Sequence, residues 1–458
     1  MNFNSLECLV FFPVVLVLHW ILPHRFRWAL LLAASWLFYF WWNLWTGFLL
    51  VGVTLVSWLC ANGIARTETP AVRRAWLALA LAVSLGCLGV FKYTGFFASI
   101  AGLDLPLQII LPVGISFYTF QTLSYVIDVY RGTVGTEGHF GYYALFVSFF
   151  PQLVAGPIER PEHLLPQLRA GRPFSAENLA SGGWLLLEGY FKKIVIADGL
   201  APFVDRVFSA PGETLGPEVV LATALFGIQI YCDFSGYSDI ARGTAKLLGI
   251  DLMENFRRPY EAKTVREFWR RWHISLTSWF TDYVYIPLGG NRKGLSRQMF
   301  NILIVFLLSG LWHGAGWTFV LWGLIHGLYQ VGSVMLERRG IIVPEKNRVQ
   351  SALCHVRTFA LVSFPWLFFR AASLEDAAVL LSRLTLGWGN IPDILGQAAP
   401  MVLPMICLPL VERLPEISGQ RDWSLSALVV FSAVTAISIA WLTQLAGGGQ
   451  NAFIYFQF

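Results

Sequence analysis

Residues 306–323 read FLLSGLWHGAGWTFVLWG, and they stand inside a longer run, between Arg297 and Glu337, of 39 residues without Asp, Glu, Lys or Arg. A helix needs about 20 apolar residues to cross roughly 30 Å of hydrocarbon. Thirty-nine residues in one helix would reach about 58 Å at 1.5 Å per residue, so the run has to turn back, and Gly314, Ala315 and Gly316 are where it breaks. Arg292, Lys293 and Arg297 flank one end and Arg338, Arg339, Lys346 and Arg348 the other. That pattern describes a hairpin with both ends on the cytoplasmic face. His313 then lies deep in the protein or toward the far side.

The rest of the chain has the same character. Of 458 residues 56% are hydrophobic and only 13% charged, where a soluble domain carries roughly 25% charged residues. Arg27 and Arg66 bracket 38 uncharged residues, and Asp104 and Asp128 bracket 23. The expected fold is all-α: a polytopic membrane protein of about eleven spans with further interfacial or re-entrant helices, forming one membrane domain over residues 1–458. Expected segments are Leu9–Leu22, a hairpin over Trp28–Ile64, Ala75–Tyr93, Leu107–Val129, Trp184–Phe203, Val219–Ile240, the 39-residue hairpin, Leu353–Phe369, Ile391–Val411 and Leu425–Leu445. Leu9–Leu22 lacks a basic leader and a small-residue cleavage site, and reads as a retained span.

Charge placement gives orientation. MNFNSLE has no Lys or Arg, whereas the loops PHRFR and IARTETPAVRRAW do, which puts the N-terminus outside the cytoplasm. Asp251–Arg297 holds nine Lys or Arg against five Asp or Glu and belongs inside. Eight full crossings would leave that block outside, so one segment enters without crossing, and the short Gly141–Val154 is the candidate. The net charge of +5 is explained by these loops, with no need for nucleic acid. Six cysteines without metal-ligand spacing indicate neither a disulfide framework nor a zinc site.

Within the basic block, Thr264 and Glu267 form a capping box. Behind it Trp269, Trp272, His273, Leu276 and Phe280 recur at helical spacing, the apolar stripe of a half-buried helix lying in the membrane interface. An ionisable group inside a membrane segment is a functional candidate by default, which singles out His313; the alternative is a neutral imidazole that packs helices together. His273 reads either as a satisfied core histidine or as a site residue. His326 follows His313 by 13 residues, about 220° around an unbroken helix, and need not share its face. Asp233 and Asp239, in YCDFSGYSDIARG, cap a broken helix or line a polar cavity. The chain has no G-x-S-x-G elbow, P-loop, H-E-x-x-H or dinucleotide fingerprint.

The blocks LPVGISFYTFQTLSYVIDVYRG (111–132), AGPIERPEHLLPQL (155–168), YCDFSGYSDIARG (231–243), LMENFRRPY (252–260), REFWRRWHISLTSWFTDYVYIPLGGNR (266–292) and GLWHGAGWTFVLWGLIHG (310–327) closely resemble the membrane-bound O-acyltransferases. Within that family they resemble the bacterial branch that acetylates alginate or D-alanylates teichoic acid. The resemblance runs over nearly the whole chain, with core motifs at 111–330 and C-terminal helices at 353–445.

It implies a funnel through the membrane in which a cytoplasmic thioester, acetyl-CoA, meets an acceptor from outside, with no bound cofactor. It maps the catalytic histidine to His313 and the second motif histidine to His273. An imidazole titrating near neutrality suits removal of a hydroxyl proton, and a thiolate leaves readily. Arg270 and Arg271 are candidates for the donor's phosphates, and Asp233, Asp239, Trp312 and Asp282 for support of the site. Implied partners are the bilayer, a polysaccharide acceptor and a periplasmic esterase-like transferase, in the bacterial inner membrane. Thr281 stands where alginate-type members usually have a basic residue, which leaves alginate, peptidoglycan and cellulose open as acceptors. A channel or flippase with histidines along a polar path is the reading of another class.

Overall fold

The computed structural model describes residues 1–103, 110–341, 347–413 and 433, apart from positions 2 and 4. It is helical, with no strand among the described residues. Two compact units are distinguishable, Met1–Leu186 with Ser238–Glu254, and Leu187–Tyr237 with Asn255–Phe458. The first holds α1 (Leu6–Ile21), α2 (His24–Phe40), α3 (Leu44–Ala65), α4 (Pro70–Leu88), α5 (Thr94–Ile100), α6 (Ile115–Arg131), α7 (Phe140–Ser148), α8 (Phe150–Leu153), α9 (Pro161–Ala170) and most of α10 (Ala176–Tyr190). The second holds α11 (Asp198–Ser209), most of α12 (Gly216–Leu247), α13 (Val265–Arg271), α14 (Ile274–Phe280), α15 (Leu295–His313), α16 (Trp317–Arg338), α17 (Arg348–Arg370), α18 (Leu374–Arg383), α19 (Ile391–Val402) and α20 (Leu408–Val411).

Seven helices among the described residues are long and apolar enough to cross a membrane: Leu44–Ala65, Pro70–Ile100, Gly216–Leu247, Leu295–His313, Trp317–Arg338, Arg348–Arg370 and Trp388–Val411. Other expected segments are present but differ in form. α1 has 16 residues and α6 has 17, and a π-helical stretch, Phe191–Ala197, interrupts the expected Trp184–Phe203. The expected segment Leu425–Leu445 lies, apart from residue 433, outside the described residues.

Gly141–Val154 is a short kinked pair, α7 and α8, whose side chains from Tyr143 to Val154 are all buried. That is too little helix for a crossing. The start of the polar segment after it, residues 156–160, is also buried in protein: Glu159 accepts from His163 Nδ1 at 2.7 Å and from the Met253 amide. Its protein surroundings answer the requirement that such a segment stay out of lipid.

Buried charge in the second unit is paired. Lys193 reaches Asp233 at 2.6 Å and Asp198 at 2.8 Å, and Lys192 reaches Glu188 at 2.6 Å and Glu412 at 3.3 Å. Both lysines belong to the π-helical stretch, whose wide turn sets the two ammonium groups on α12 and on the residue after α20.

The interfacial helix expected from Trp269 to Phe280 is not one helix. Its stripe is buried as expected, but Trp272 is extended and His273 has φ 42° and ψ 57°, so α13 and α14 meet at a corner. The burial is also deeper than an interfacial helix would have: Trp272 is fully buried and His273 is 1% exposed. The capping box forms in a shifted version, with Thr264 Oγ1 accepting from the Glu267 amide at 3.1 Å and the Glu267 carboxylate accepting from Lys263 rather than from Thr264.

Candidate active site

Two breaks bring two histidines together. α15 ends at His313; Gly314 and Gly316 are extended, and α16 begins at Trp317. The helices lie very close, because a Cβ on Gly310 would stand 2.3 Å from the Phe319 carbonyl oxygen and one on Gly323 2.3 Å from that of Phe306. Gly314 has a related reason, since its Cβ would fall 2.1 Å from the Phe319 ring. The small residues of GLWHGAG therefore close the hairpin as well as break it.

The second break puts His273 into the same chamber. A left-handed backbone at a non-glycine residue is strained and persists only where the surroundings impose it. Here the chain from Asn255 to Arg257 imposes it. Ile274 N donates to Asn255 O at 2.9 Å and Arg257 N to Arg271 O at 3.0 Å. Asn255 Oδ1 accepts from Ser275 Oγ at 2.6 Å and from Ser275 N at 3.3 Å. Asn255 is 1% exposed and Ser275 fully buried, so these bonds have no competition from water. Asn255→Ala removes the side-chain half of this clamp, and we expect transfer activity to fall about thirtyfold, the scale of a misplacement of an ångström or less. Activity within twofold of wild type in a folded variant would show that the corner holds without it.

The His273 and His313 ring centroids are 6.3 Å apart. Trp312 packs against both, at 5.7 Å and 4.9 Å, and Phe234 meets His273 edge-on at 4.6 Å. His313 also touches Trp322 at 5.1 Å and Phe369 at 5.4 Å. His273 lies outside the seven membrane-length helices, and burial pushes its imidazole down to about 3. It is therefore neutral at pH 7, with one donor and one acceptor.

His326 is part of the same aromatic cluster, its ring 5.0 Å from that of Trp322. Trp269 Nε1 donates to its Nδ1 at 3.3 Å, which leaves its proton on Nε2. The indole nitrogens of Trp272, Trp322 and Trp366 have no hydrogen-bond partner among the described residues. Leaving a buried N–H unmatched costs about 1–3 kcal/mol, so a cluster of them beside a histidine suits a site that receives a polar group.

A cavity of about 390 Å³ lies between α13, α14, α15 and α16. Arg266, Arg270 and Gln298 contribute polar groups, Ile302 and Phe306 an apolar wall, and Ser309, one helical turn before His313, a hydroxyl. Arg270 lines it; Arg271 instead pairs with Glu267 at 2.5 Å. Asp282 is half-buried in the π-helical turn Thr281–Tyr285, whose two end residues line the cavity. Asp233 holds Lys193, one residue before Phe234, and Asp239 pairs with Arg242 at 3.4 Å in the first unit. Asn255, Ser309, Trp322 and Arg266 are the site residues that sequence reasoning did not single out; a polar residue inside LMENFRRPY was the one available hint for Asn255.

Comparison with known proteins gives this geometry its context. The pattern of the MBOAT, membrane-bound O-acyltransferase family, matches residues 136–339, which include both histidines. The probable alginate O-acetylase AlgI of Pseudomonas aeruginosa is 40% identical over 384 residues, covering 80% of this chain and 71% of its own length. Its namesake from Pseudomonas putida is 35% identical over 98% of both chains. A peptidoglycan O-acetyltransferase of Helicobacter pylori is 33% identical over 93% of this chain and 91% of its own. With membrane-length helices, two buried histidines at helix breaks and relatives 33–40% identical over 71–98% of their own length, the chain belongs to the membrane-bound O-acyltransferase family and is an O-acyltransferase.

Proposed function

We propose that the protein moves acetyl groups from cytoplasmic acetyl-CoA to hydroxyls of an extracytoplasmic polysaccharide, alginate or a similar exopolysaccharide, in the bacterial inner membrane. The observation that carries this reading is the cavity lined by Arg266, Arg270 and Ser309, the last one turn from His313. Guanidinium groups suit a donor's phosphates, and the apolar wall suits the arm that bears the thioester. The relatives named alginate O-acetylase support the acceptor class. The Helicobacter pylori relative keeps peptidoglycan as a second acceptor. A periplasmic esterase-like transferase would carry the group onward to the polymer.

In this mechanism His313 takes the proton of the acceptor hydroxyl while its oxygen attacks the thioester carbonyl carbon. The tetrahedral intermediate collapses, the C–S bond breaks, and the thiolate leaves with the proton from the His313 imidazolium, so no enzyme nucleophile is needed. The neutral His273 orients or relays, and the Trp322 indole N–H donates to the developing oxyanion.

The test uses the purified full-length protein with acetyl-labelled CoA, an oligosaccharide acceptor and, as the onward carrier, the periplasmic transferase. Label should reach the acceptor in wild type, and Trp322→Phe, which keeps an aromatic ring and removes the donor, should lower kcat about a hundredfold. Transfer no faster than without enzyme would overturn the donor assignment; an unchanged kcat in Trp322→Phe would overturn the role of the indole.

A further inference from the structure

A second cavity, of about 590 Å³, lies where the start of α13 meets the end of α16 and the middle of α17. Its polar wall carries Lys263, Arg266 and Arg357 against one carboxylate, Glu337, with the hydroxyls of Ser333 and Thr358 between them. Arg266 holds Glu337 at 2.7 Å, and Arg357 donates to the Lys263 carbonyl at 3.3 Å. Arg266 and Arg357 are thus held at the cavity wall by bonds to their neighbours. This concentration of basic groups is not used by the transfer chemistry, apart from Arg266, which lines both cavities.

What surrounds the cavity says what fills it. Arg357, Leu361 and Phe364 recur at i, i+4 and i+7 on α17, and so share one stripe. Leu361 is 36% and Phe364 43% exposed, on a helix long and apolar enough to cross a membrane. On α16, Leu336 is 49% exposed beside Glu337. A soluble anion would use the basic wall alone. A basic pocket continuous with an exposed apolar stripe has the complementarity of a phospholipid, its headgroup on the cations and its acyl chain along Leu361 and Phe364.

We infer that this cavity between α16 and α17 binds an anionic phospholipid through Lys263 and Arg357. Arg266 is left intact in the test because it also lines the candidate donor cavity. Delipidated full-length protein in dodecyl maltoside is titrated with dioleoyl phosphatidylglycerol and its Tm followed. Dioleoyl phosphatidylcholine and inorganic phosphate are titrated in parallel. Phosphatidylglycerol should raise Tm, and the midpoint of that rise should move about fivefold higher in Arg357→Gln and roughly thirtyfold higher in Lys263→Gln/Arg357→Gln, following the contribution of one basic group near a charged lipid. Arg357→Lys should restore most of the difference.

Several outcomes would sink the proposal. An equal rise with phosphatidylcholine would mean that acyl chains alone bind, and an equal rise with inorganic phosphate a free-anion site. No rise at all, or a midpoint unmoved in the variants, would mean that anionic lipid does not occupy this cavity. Arg357 is exposed, so its single substitution decides the matter even where the double variant fails to fold.

Discussion

His313→Ala should lower acetyl transfer about a thousandfold, within the range a positioned general base contributes. The residue is 3% exposed at the end of α15, enclosed by Trp312, Trp322 and Phe369. Water cannot readily take its place as base there. Alanine also leaves a void among these rings, so His313→Gln is the control that fills the space without a group able to accept a proton at neutral pH. Both variants should show the same loss in kcat with donor affinity retained, because the donor's phosphates are assigned to Arg266 and Arg270. The measurement is single-turnover label transfer alongside acetyl-CoA binding. A folded His313→Gln that transfers at the wild-type rate would remove the imidazole from the mechanism. A variant that loses donor binding as well would place His313 on the donor rather than on the acceptor proton.

The fate of His273 shows where sequence reading reaches and where it stops. Periodicity identified the buried stripe Trp269, Trp272, His273, Leu276 and Phe280, and each of these is buried. Periodicity assumes a continuous helix, however, and the corner at His273 depends on Asn255, eighteen residues earlier in the sequence. A side-chain clamp of that kind has no period. The hairpin at 298–336 was legible for the opposite reason: bilayer thickness is a constant, and 39 uncharged residues exceed it whatever their partners. The cavity that Ser309 lines was hidden because it exists only between elements. Ser309 differs in no local respect from a serine packed in any membrane helix, and Arg270 and Arg271, equivalent in the sequence, separate only when one lines the cavity and the other pairs with Glu267.

Gly310→Ala should reduce transfer about a hundredfold and lower stability by about 1–3 kcal/mol, the usual scale for forcing a methyl group into a filled space. The added Cβ would meet the Phe319 carbonyl oxygen at 2.3 Å and the Phe319 carbonyl carbon at 3.1 Å. These are backbone atoms, so no side chain can rotate away, and relief requires α15 and α16 to separate. His313 is three residues further along α15 and Trp322 is one residue before Gly323 on α16. Any separation therefore opens the distance between the proposed base and the proposed oxyanion donor, and about an ångström of misplacement accounts for the loss. Gly332→Ala is the matched control: it lies on α16 with nothing within 4 Å of its Cβ position, and alanine there can only favour the helix. Wild-type kcat and Tm in Gly310→Ala would mean that the helices have room to spare, and that the chamber is set by the aromatic rings rather than by the closeness of the two backbones. A lowered Tm with unchanged kcat would separate the two roles, leaving the glycine contact to hold the hairpin and not the reacting groups.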